Sequence, residues 1–250
     1  VSDNCGNESE VQRTVKVVAP MSDDAVNPGD KVVYLTFDDG PGPYTEKLLD
    51  ILDRYNVKAT FFVTNGKPDY QNLIAQEAQR GHTVAIHSAS HDYAKIYQSV
   101  DAYFADFDEM NSIITAQTGK AADLVRFPGG SSNTISKKYC YGIMSQLVCA
   151  VEERGFRYCD WNVSSGDAGG TTSTSQVVAN VIEGIKSNNV SVVLQHDIKN
   201  FSVDAVEQII QWGLSEGYTF LPMTSTTPMS HHGVNNCCLL YTSDAADERS

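Results

Sequence analysis

Val32-Val33-Tyr34-Leu35-Thr36-Phe37-Asp38-Asp39-Gly40-Pro41 is the stretch from which the rest of the chain is read. Its first half is apolar, rich in β-branched and aromatic residues and bounded by turn formers, the pattern of a buried strand over 32–37. Two adjacent carboxylates at the end of such a strand are costly to desolvate unless a cation compensates them. Gly40-Pro41 then turns the chain and stops the strand. On its own the stretch also fits a polar turn at a strand exit.

Downstream, strand and helix patterns alternate. A helix over 44–56 carries Leu48, Leu49, Ile51, Leu52 and Tyr55 on its apolar side, and a strand follows over 59–63. A helix over 70–80 stops at Gly81, and a strand over 83–86 ends at His87. A helix or helix pair over 99–118 precedes a strand over 123–127, which runs into Pro128-Gly129-Gly130. A helix over 141–154 and a strand over 156–161 lead into a Ser/Gly/Thr-rich loop over 162–174. A helix over 176–186, a strand over 191–195, a helix over 203–216 and a strand over 218–221 complete the series. Such alternation predicts a parallel sheet with right-handed crossovers. About seven units without a break in composition point to a single-domain α/β fold, a (β/α) barrel, with an open doubly wound sheet as the alternative. No glycine-rich phosphate loop follows the first strand, which argues against a nucleotide fold.

The domain is expected over 31–223. Residues 1–30 read as an N-terminal extension with a short edge strand over 11–19, and residues 224–237 as a C-terminal tail. His231-His232 in that tail reads as flexible chain rather than a second metal site. Residues 238–250, with Cys238-Leu239-Leu240-Tyr241-Thr242-Ser243-Asp244, resemble a translated sequencing adapter, so the natural chain is expected to end near Asn236 or Cys237.

Charge and cysteine usage narrow the classes further. The net charge is −13 and the pI near 4.7, with no basic stripe, which argues against nucleic-acid binding. No run approaches the roughly 18 apolar residues of a membrane span. The chain starts without methionine, which leaves room for a lost export or anchoring segment. The six cysteines contain no C-x-x-C pair, against a zinc ribbon or thioredoxin-like site. Cys140–Cys149 and Cys5–Cys237 are the candidate bridges, with buried free thiols as the default.

In a parallel barrel the C-terminal strand ends open onto one face, where active sites are built. Asp38, Asp39, His87, His91, Arg126, Asp160, Asp167 and His196 all lie at or just beyond the ends of predicted strands. His87 and His91 have i, i+4 spacing, which would put both imidazoles on one side of a helical turn. Two histidines and a carboxylate suit Zn²⁺ or another divalent ion. Of the adjacent aspartates, one would ligate and the other take a proton from water. Arg126 would orient that base through a charge-assisted, bidentate pair, the alternative being a structural salt bridge. His196 stands where it could protonate a leaving group, or else is a neutral core histidine. Asp167 or Asp160 would pair with it and raise its pKa. Gly129 and Gly130 allow close approach of backbone to substrate and an N–H for an oxyanion.

These residues resemble the polysaccharide deacetylases of carbohydrate esterase family 4, the NodB-homology domain. The likeness covers about Lys31–Met223 through Thr36-Phe37-Asp38-Asp39-Gly40-Pro41, His87-Ser88-x-x-His91, Arg126-x-Pro128-x-Gly130 and Leu194-x-His196, in family order. It implies a distorted (β/α) barrel and metal-dependent removal of N-acetyl groups from an N-acetylhexosamine polymer. By position, Asp38 would be the base, Asp39, His87 and His91 the ligands of Zn²⁺, Co²⁺ or another divalent ion, and His196 the acid. Arg126 would orient Asp38, Gly129 N–H would steady the oxyanion, Leu194 would line the acetyl pocket and Trp161 would contact substrate. Asp167 matches the aspartate of the family's Asp-Trp pair, with Ala168 in place of the tryptophan, and Gly129 stands where many relatives carry an aromatic. Both changes predict a more open pocket. The ending Pro228-Met229-Ser230-His231-His232-Gly233-Val234-Asn235-Asn236 is similar to that of Gram-positive cell-wall deacetylases. It implies peptidoglycan N-acetylglucosamine as substrate and a monomeric, secreted or surface-anchored bacterial enzyme. Chitin or chito-oligosaccharides, O-acetyl xylan and a non-catalytic glycan-binding role are the alternatives.

Overall fold

The computed structural model describes residues 29–237. The expected edge strand over 11–19, Cys5, and residues 238–250 lie outside them. The first strand, β1 (Val32–Asp38), is fully buried and sits centrally. After it come α1 (Thr45–Arg54), β2 (Thr60–Thr64), α2 (Leu73–Gln79), β3 (Thr83–Ser88), α3 (Tyr93–Ile96) and α4 (Val100–Thr118). The second half adds β4 (Leu124–Val125), α5 (Ile143–Glu153), β5 (Arg157–Tyr158), β6 (Val163–Ser164), α6 (Thr174–Lys186), β7 (Val190–His196), α7 (Asn200–Ser215) and β8 (Thr219–Phe220).

All strand pairings are parallel, in the order β5-β4-β3-β2-β1-β7-β6, with β8 added beside the start of β1. The expected barrel is therefore present in distorted form. Its closure is made by chain rather than by a ladder. Residues 157–164 pair with β4 at their start and β7 at their end, and change partner around Asp160-Trp161. The two-residue β6 inside the Ser/Gly/Thr loop, and the short α3, are elements that periodicity does not announce.

Alternation along β1 divides the core in two. Val33, Leu35 and Phe37 face the helices, with Leu48, Leu49 and Leu52 of α1 and Val203, Val206, Ile209 and Ile210 of α7 in the same cluster. Val32 and Tyr34 face the barrel interior, with Phe62, Ala85, Leu124, Val192 and Met223. Further up that inner face the residues turn polar. Register pairs Thr36 with Leu194 and Asp38 with His196, so all four share one surface above the apolar floor. The floor fixes the strands, and the polar rim above it is free to carry chemistry.

The tail differs from expectation. Residues 229–237 are packed along the place where the chain between β5 and β6 changes partner. Asp160 N–H donates to the Ser230 carbonyl at 2.7 Å, and His232 N–H donates to Asp160 Oδ2 at 2.8 Å. Asn236 is fully buried; its amide donates to Ser136 Oγ and the Cys140 carbonyl and accepts from Gly142 N–H. The thiol default needs correcting too. Cys140 and Cys149 are unbridged, and of the described cysteines only Cys159 is buried. No helix among the described residues is long and apolar enough to cross a membrane.

Candidate active site

Asp38 and Asp39 part company through the backbone. Asp38 ends β1 with its side chain in the barrel, 3% exposed. Asp39 has φ +73°, a left-handed conformation uncommon outside glycine and asparagine. That turn brings its carboxylate back to the same rim instead of to the opposite face. Asp39 Oδ1 lies 3.5 Å from His87 Nε2 and 3.4 Å from His91 Nε2. Asp38 Oδ2 lies 3.9 Å from His87 Nε2.

The next residue must be glycine for a steric reason: a Cβ on Gly40 would lie 2.1 Å from Asp197 Oδ2. The fully buried Asp197 accepts a hydrogen bond from the Thr45 hydroxyl, which in turn accepts from Gly42 N–H at 2.8 Å. Burial, reinforced by the charge of Asp39, pushes Asp197 up to about 7. This support for the turn is not visible in any motif.

The two histidines arrive by different routes, and not on a helical turn. His87 belongs to β3, and its Nδ1–H donates to the Arg126 carbonyl at 2.7 Å, which leaves Nε2 as the free lone pair. His91 follows a tight loop and has φ +51°. Asp106 of α4, 2% exposed, builds that loop: its carboxylate accepts from the Ser88 and Ser90 hydroxyls and from the Ala89 and Ser90 N–H groups. Burial opposes its charge, but these donors hold its pKa below the ordinary carboxylate value. Only its place among the apolar residues of α4 could have flagged it.

Asp39, His87 and His91 each offer a ligand atom within 4.8 Å of the other two, and among the described residues they are the only such group. Asp39 Oδ1 is buried without a hydrogen-bond donor, an orphaned anionic atom between two imidazole nitrogens. Burial raises and the neighbouring imidazoles lower the Asp39 pKa, with a net fall, while burial lowers that of His87. A carboxylate with one unpaired oxygen and two imidazole nitrogens fits a divalent cation.

Arg126 is fully buried between the Phe62 ring, 4.1 Å away, and the rim. It reaches Asp38 through one N–H rather than two: Nη1 donates to Asp38 Oδ1 at 2.8 Å and to Thr36 Oγ1 at 2.7 Å. Its Nε and Nη2 are taken by the carbonyls of Cys159 and Asp160. The guanidinium is thus fixed by β1 on one side and by the chain just after β5 on the other, and Asp38 Oδ2 is left facing the His87 imidazole.

On the other flank His196 Nδ1–H donates to Asp167 Oδ1 at 2.8 Å, and Asp167 Oδ2 accepts from His196 N–H and the Ser202 hydroxyl. Burial depresses the His196 pKa, but Asp167 overrides it and the net shift is upward. Asp167 itself moves down: burial is outweighed by His196 and Ser202. His196 Nε2 lies 3.8 Å from Asp39 Oδ2. Of the two aspartates considered as its partner, Asp160 is engaged elsewhere, accepting from Ser131 N–H and Oγ and from His232 N–H. Lys199, absent from the sequence reading, donates to the Asp167 carbonyl at 2.7 Å, and its charge also favours ionised Asp39.

Of the expected substrate contacts, Leu194 shares the inner face with His196, and Trp161 packs over Gly130, where a Cβ would meet its ring at 3.0 Å. The wall at Gly129 is not empty as expected. A Cβ there would lie 2.7 Å from the Tyr93 hydroxyl, so Tyr93 occupies that side. Burial first, then the charges of Asp39 and Asp38, push the Tyr93 phenol up to about 12. His231 and His232 form no metal site. His231 stacks on Tyr158 and bonds its carbonyl, and both ring nitrogens of His232 are engaged, by Trp161 O and Ser132 Oγ.

Comparison with known proteins gives a consistent answer. The polysaccharide deacetylase family matches residues 25–141. A peptidoglycan-N-acetylglucosamine deacetylase of Bacillus cereus is 34% identical over 196 residues, 76% of this chain and 68% of the relative. The catalytic domain of a peptidoglycan N-acetylglucosamine deacetylase from Eubacterium rectale superposes with a TM-score of 0.84 at 71% identity, covering 85% of this chain and 97% of that one. A polysaccharide deacetylase structure from Bacillus cereus gives a TM-score of 0.70 at 32% identity, over 80% of this chain and 96% of that one.

Proposed function

The chain belongs to the polysaccharide deacetylase family, and from that premise we propose that it hydrolyses the N-acetyl group of N-acetylglucosamine units in peptidoglycan, with a divalent cation at Asp39, His87 and His91. The reaction class, hydrolysis of a carbon–nitrogen bond by a polysaccharide deacetylase, follows from membership; the glycan and the cation are our reading. The observation that carries it is the flanking of one orphaned carboxylate oxygen by two imidazoles, with an arginine-held aspartate on one side and an aspartate-held histidine on the other.

A cation bound there, Zn²⁺ or Co²⁺ among the candidates, supplies Lewis acidity that acidifies water and polarises an acyl carbonyl. The rest is done by the protein. Asp38, oriented by Arg126, takes a proton from the attacking water through Oδ2. His196, whose Nδ1 proton is committed to Asp167, presents Nε2 to the departing nitrogen and gives it a proton. The Gly129 N–H faces the acyl oxygen as negative charge develops on it. Leu194 lies below the acetyl methyl, and Trp161 borders the sugar. Acetate and a glucosamine unit leave. A peptidoglycan substrate puts the enzyme outside the cell or at its surface, and one chain supplies every group named here, in keeping with a monomeric enzyme.

The test is acetate release from peptidoglycan, chito-oligosaccharides and acetylxylan, before and after chelation and with metal added back. Release from peptidoglycan that vanishes on chelation is expected; release from acetylxylan alone would overturn the N-acetyl assignment. Asp38→Asn should lower kcat at least about 10²-fold while zinc affinity, measured by chelator competition, stays near that of the wild type. Substantial acetate release by this variant would remove Asp38 from the role of base.

A further inference from the structure

Tyr93 opens α3 directly after the loop that carries His91, and its ring lies edge-on to the His91 imidazole, with centroids 5.5 Å apart. On its other side it packs against Tyr97 at 5.5 Å. The Tyr97 hydroxyl donates to the Pro128 carbonyl at 2.8 Å, which pins the chain just before Gly129. Gly129 has φ +77°, and the space where its Cβ would stand is bordered by the Tyr93 hydroxyl at 2.7 Å. The conformation and the crowding together disfavour a side chain at 129 unless the Tyr93 hydroxyl moves.

Among the described residues the Tyr93 hydroxyl has no hydrogen-bond partner, and neither has the Gly129 N–H. The ring is half-buried against a histidine of the candidate metal site while its hydroxyl is open to water, a place that a ligand oxygen can take. A phenol is a neutral donor at working pH and, on a rigid aromatic ring, is held in place before reaction. The phenol thus stands beside the Gly129 main chain on the rim, where one oxygen gaining negative charge could accept from both.

We propose that the Tyr93 hydroxyl is a catalytic residue that donates a hydrogen bond to the acyl oxygen of the substrate together with the Gly129 N–H. The role rests on the deacetylase reading above and extends it from a one-donor to a two-donor oxyanion site. No proton is transferred from Tyr93; the bond strengthens as the carbonyl becomes tetrahedral and is released with acetate.

Tyr93→Phe keeps the ring packing on His91 and Tyr97 and deletes only the donor. Loss of one oxyanion donor typically costs 10²–10³ in kcat; with a main-chain partner remaining, a fall of about 10–100-fold is expected, with KM changing less than threefold. Zinc affinity by chelator competition and Tm should match the wild type. Gly129→Ala, whose Cβ would push the hydroxyl aside, should also lower kcat, and should cost less in the Tyr93→Phe background, giving a non-additive cycle. Tyr93→Phe with kcat within twofold of wild type would overturn the proposal. So would a fall in kcat matched by an equal fall in zinc affinity, which would reduce Tyr93 to a prop for His91. A wild-type protein that releases no acetate from any of the three glycans would overturn the functional reading first, and this role with it.

Discussion

Asp38 and Asp39 are chemically identical neighbours, and their different surroundings come from one dihedral angle and one arginine. The left-handed φ of Asp39 aims its carboxylate at the imidazoles, while the extended Asp38 meets Arg126 inside the barrel. The same economy governs His196 and Asp167, whose short contact at 2.8 Å raises one pKa and lowers the other. The general-acid role proposed for His196 requires its protonated form, and with its pKa raised that form persists to higher pH; activity should be lost as pH rises through that value. Asp167→Asn removes the group that raises it, so the basic limb of the kcat profile should move to lower pH and kcat near neutrality fall about 10–100-fold. A basic limb that stays in place would dissociate the pair from the proton transfer. Both carboxylates and all three histidines could be read from sequence because each follows a strand in a parallel barrel. Tyr93, Asp106, Lys199 and Asp197 could not, since each acts through a neighbour brought close only by folding.

At the level of elements, the loop between β3 and α3 is shaped by a helix that stands behind the candidate site. Its hydroxyls and N–H groups at Ser88, Ala89 and Ser90 converge on Asp106, and the Ser88 hydroxyl accepts from His91 N–H at 2.8 Å. The i, i+4 spacing of His87 and His91 suggested a helical turn; strand continuation through Ser88 and the positive φ of His91 give the same convergence by another geometry. Sequence pattern finds strands and helices that bury a face, which is why β1, β2, β3, β7 and the long helices were legible. It does not find β6, two residues long and defined by β7 rather than by its own composition. Asp106→Ala should leave four donors unsatisfied in a partly buried loop, lowering stability by about 2–4 kcal/mol and weakening zinc binding about 10–100-fold. Because the folded-state pKa of Asp106 is depressed, its contribution is complete above the unfolded carboxylate value and is lost as pH falls through the folded one. The stability gap between wild type and variant, measured by urea unfolding, should therefore shrink in acid. A gap independent of pH would mean the loss is one of packing alone.

For the molecule as a whole, the question is how a barrel with a partner-switching strand stays closed. Around Asp160 the chain has left β4 and not yet joined β7, and its main-chain donor there has no strand to pair with. The tail supplies the answer: Ser230 accepts from Asp160 N–H, His232 N–H reaches the Asp160 carboxylate, and the His232 imidazole joins the Trp161 carbonyl to Ser132. Asn236 then ties the loop over residues 136–142 to the start of α5. Nothing in a polar, aperiodic segment reveals this, because its partners are backbone groups whose need for a donor or acceptor exists only after the sheet has curled. Asp160 also offers its carbonyl to Arg126, so the strap lies one residue from the group that orients Asp38. Removing residues 229–237 would leave the fully buried Asp160 with one donor fewer and expose the inner side of Trp161 and Tyr158. Each buried group so orphaned costs about 1–3 kcal/mol, and several are lost at once, so the truncated chain should melt well below the wild type. His232→Ala, which keeps the main-chain bond to Asp160, should lose only about 1–2 kcal/mol. Thermal unfolding of the two variants beside the wild type tests the order. A truncation that melts with the wild type would return these residues to the status of a loose end, and the barrel would then have to close on β5 and β6 unaided.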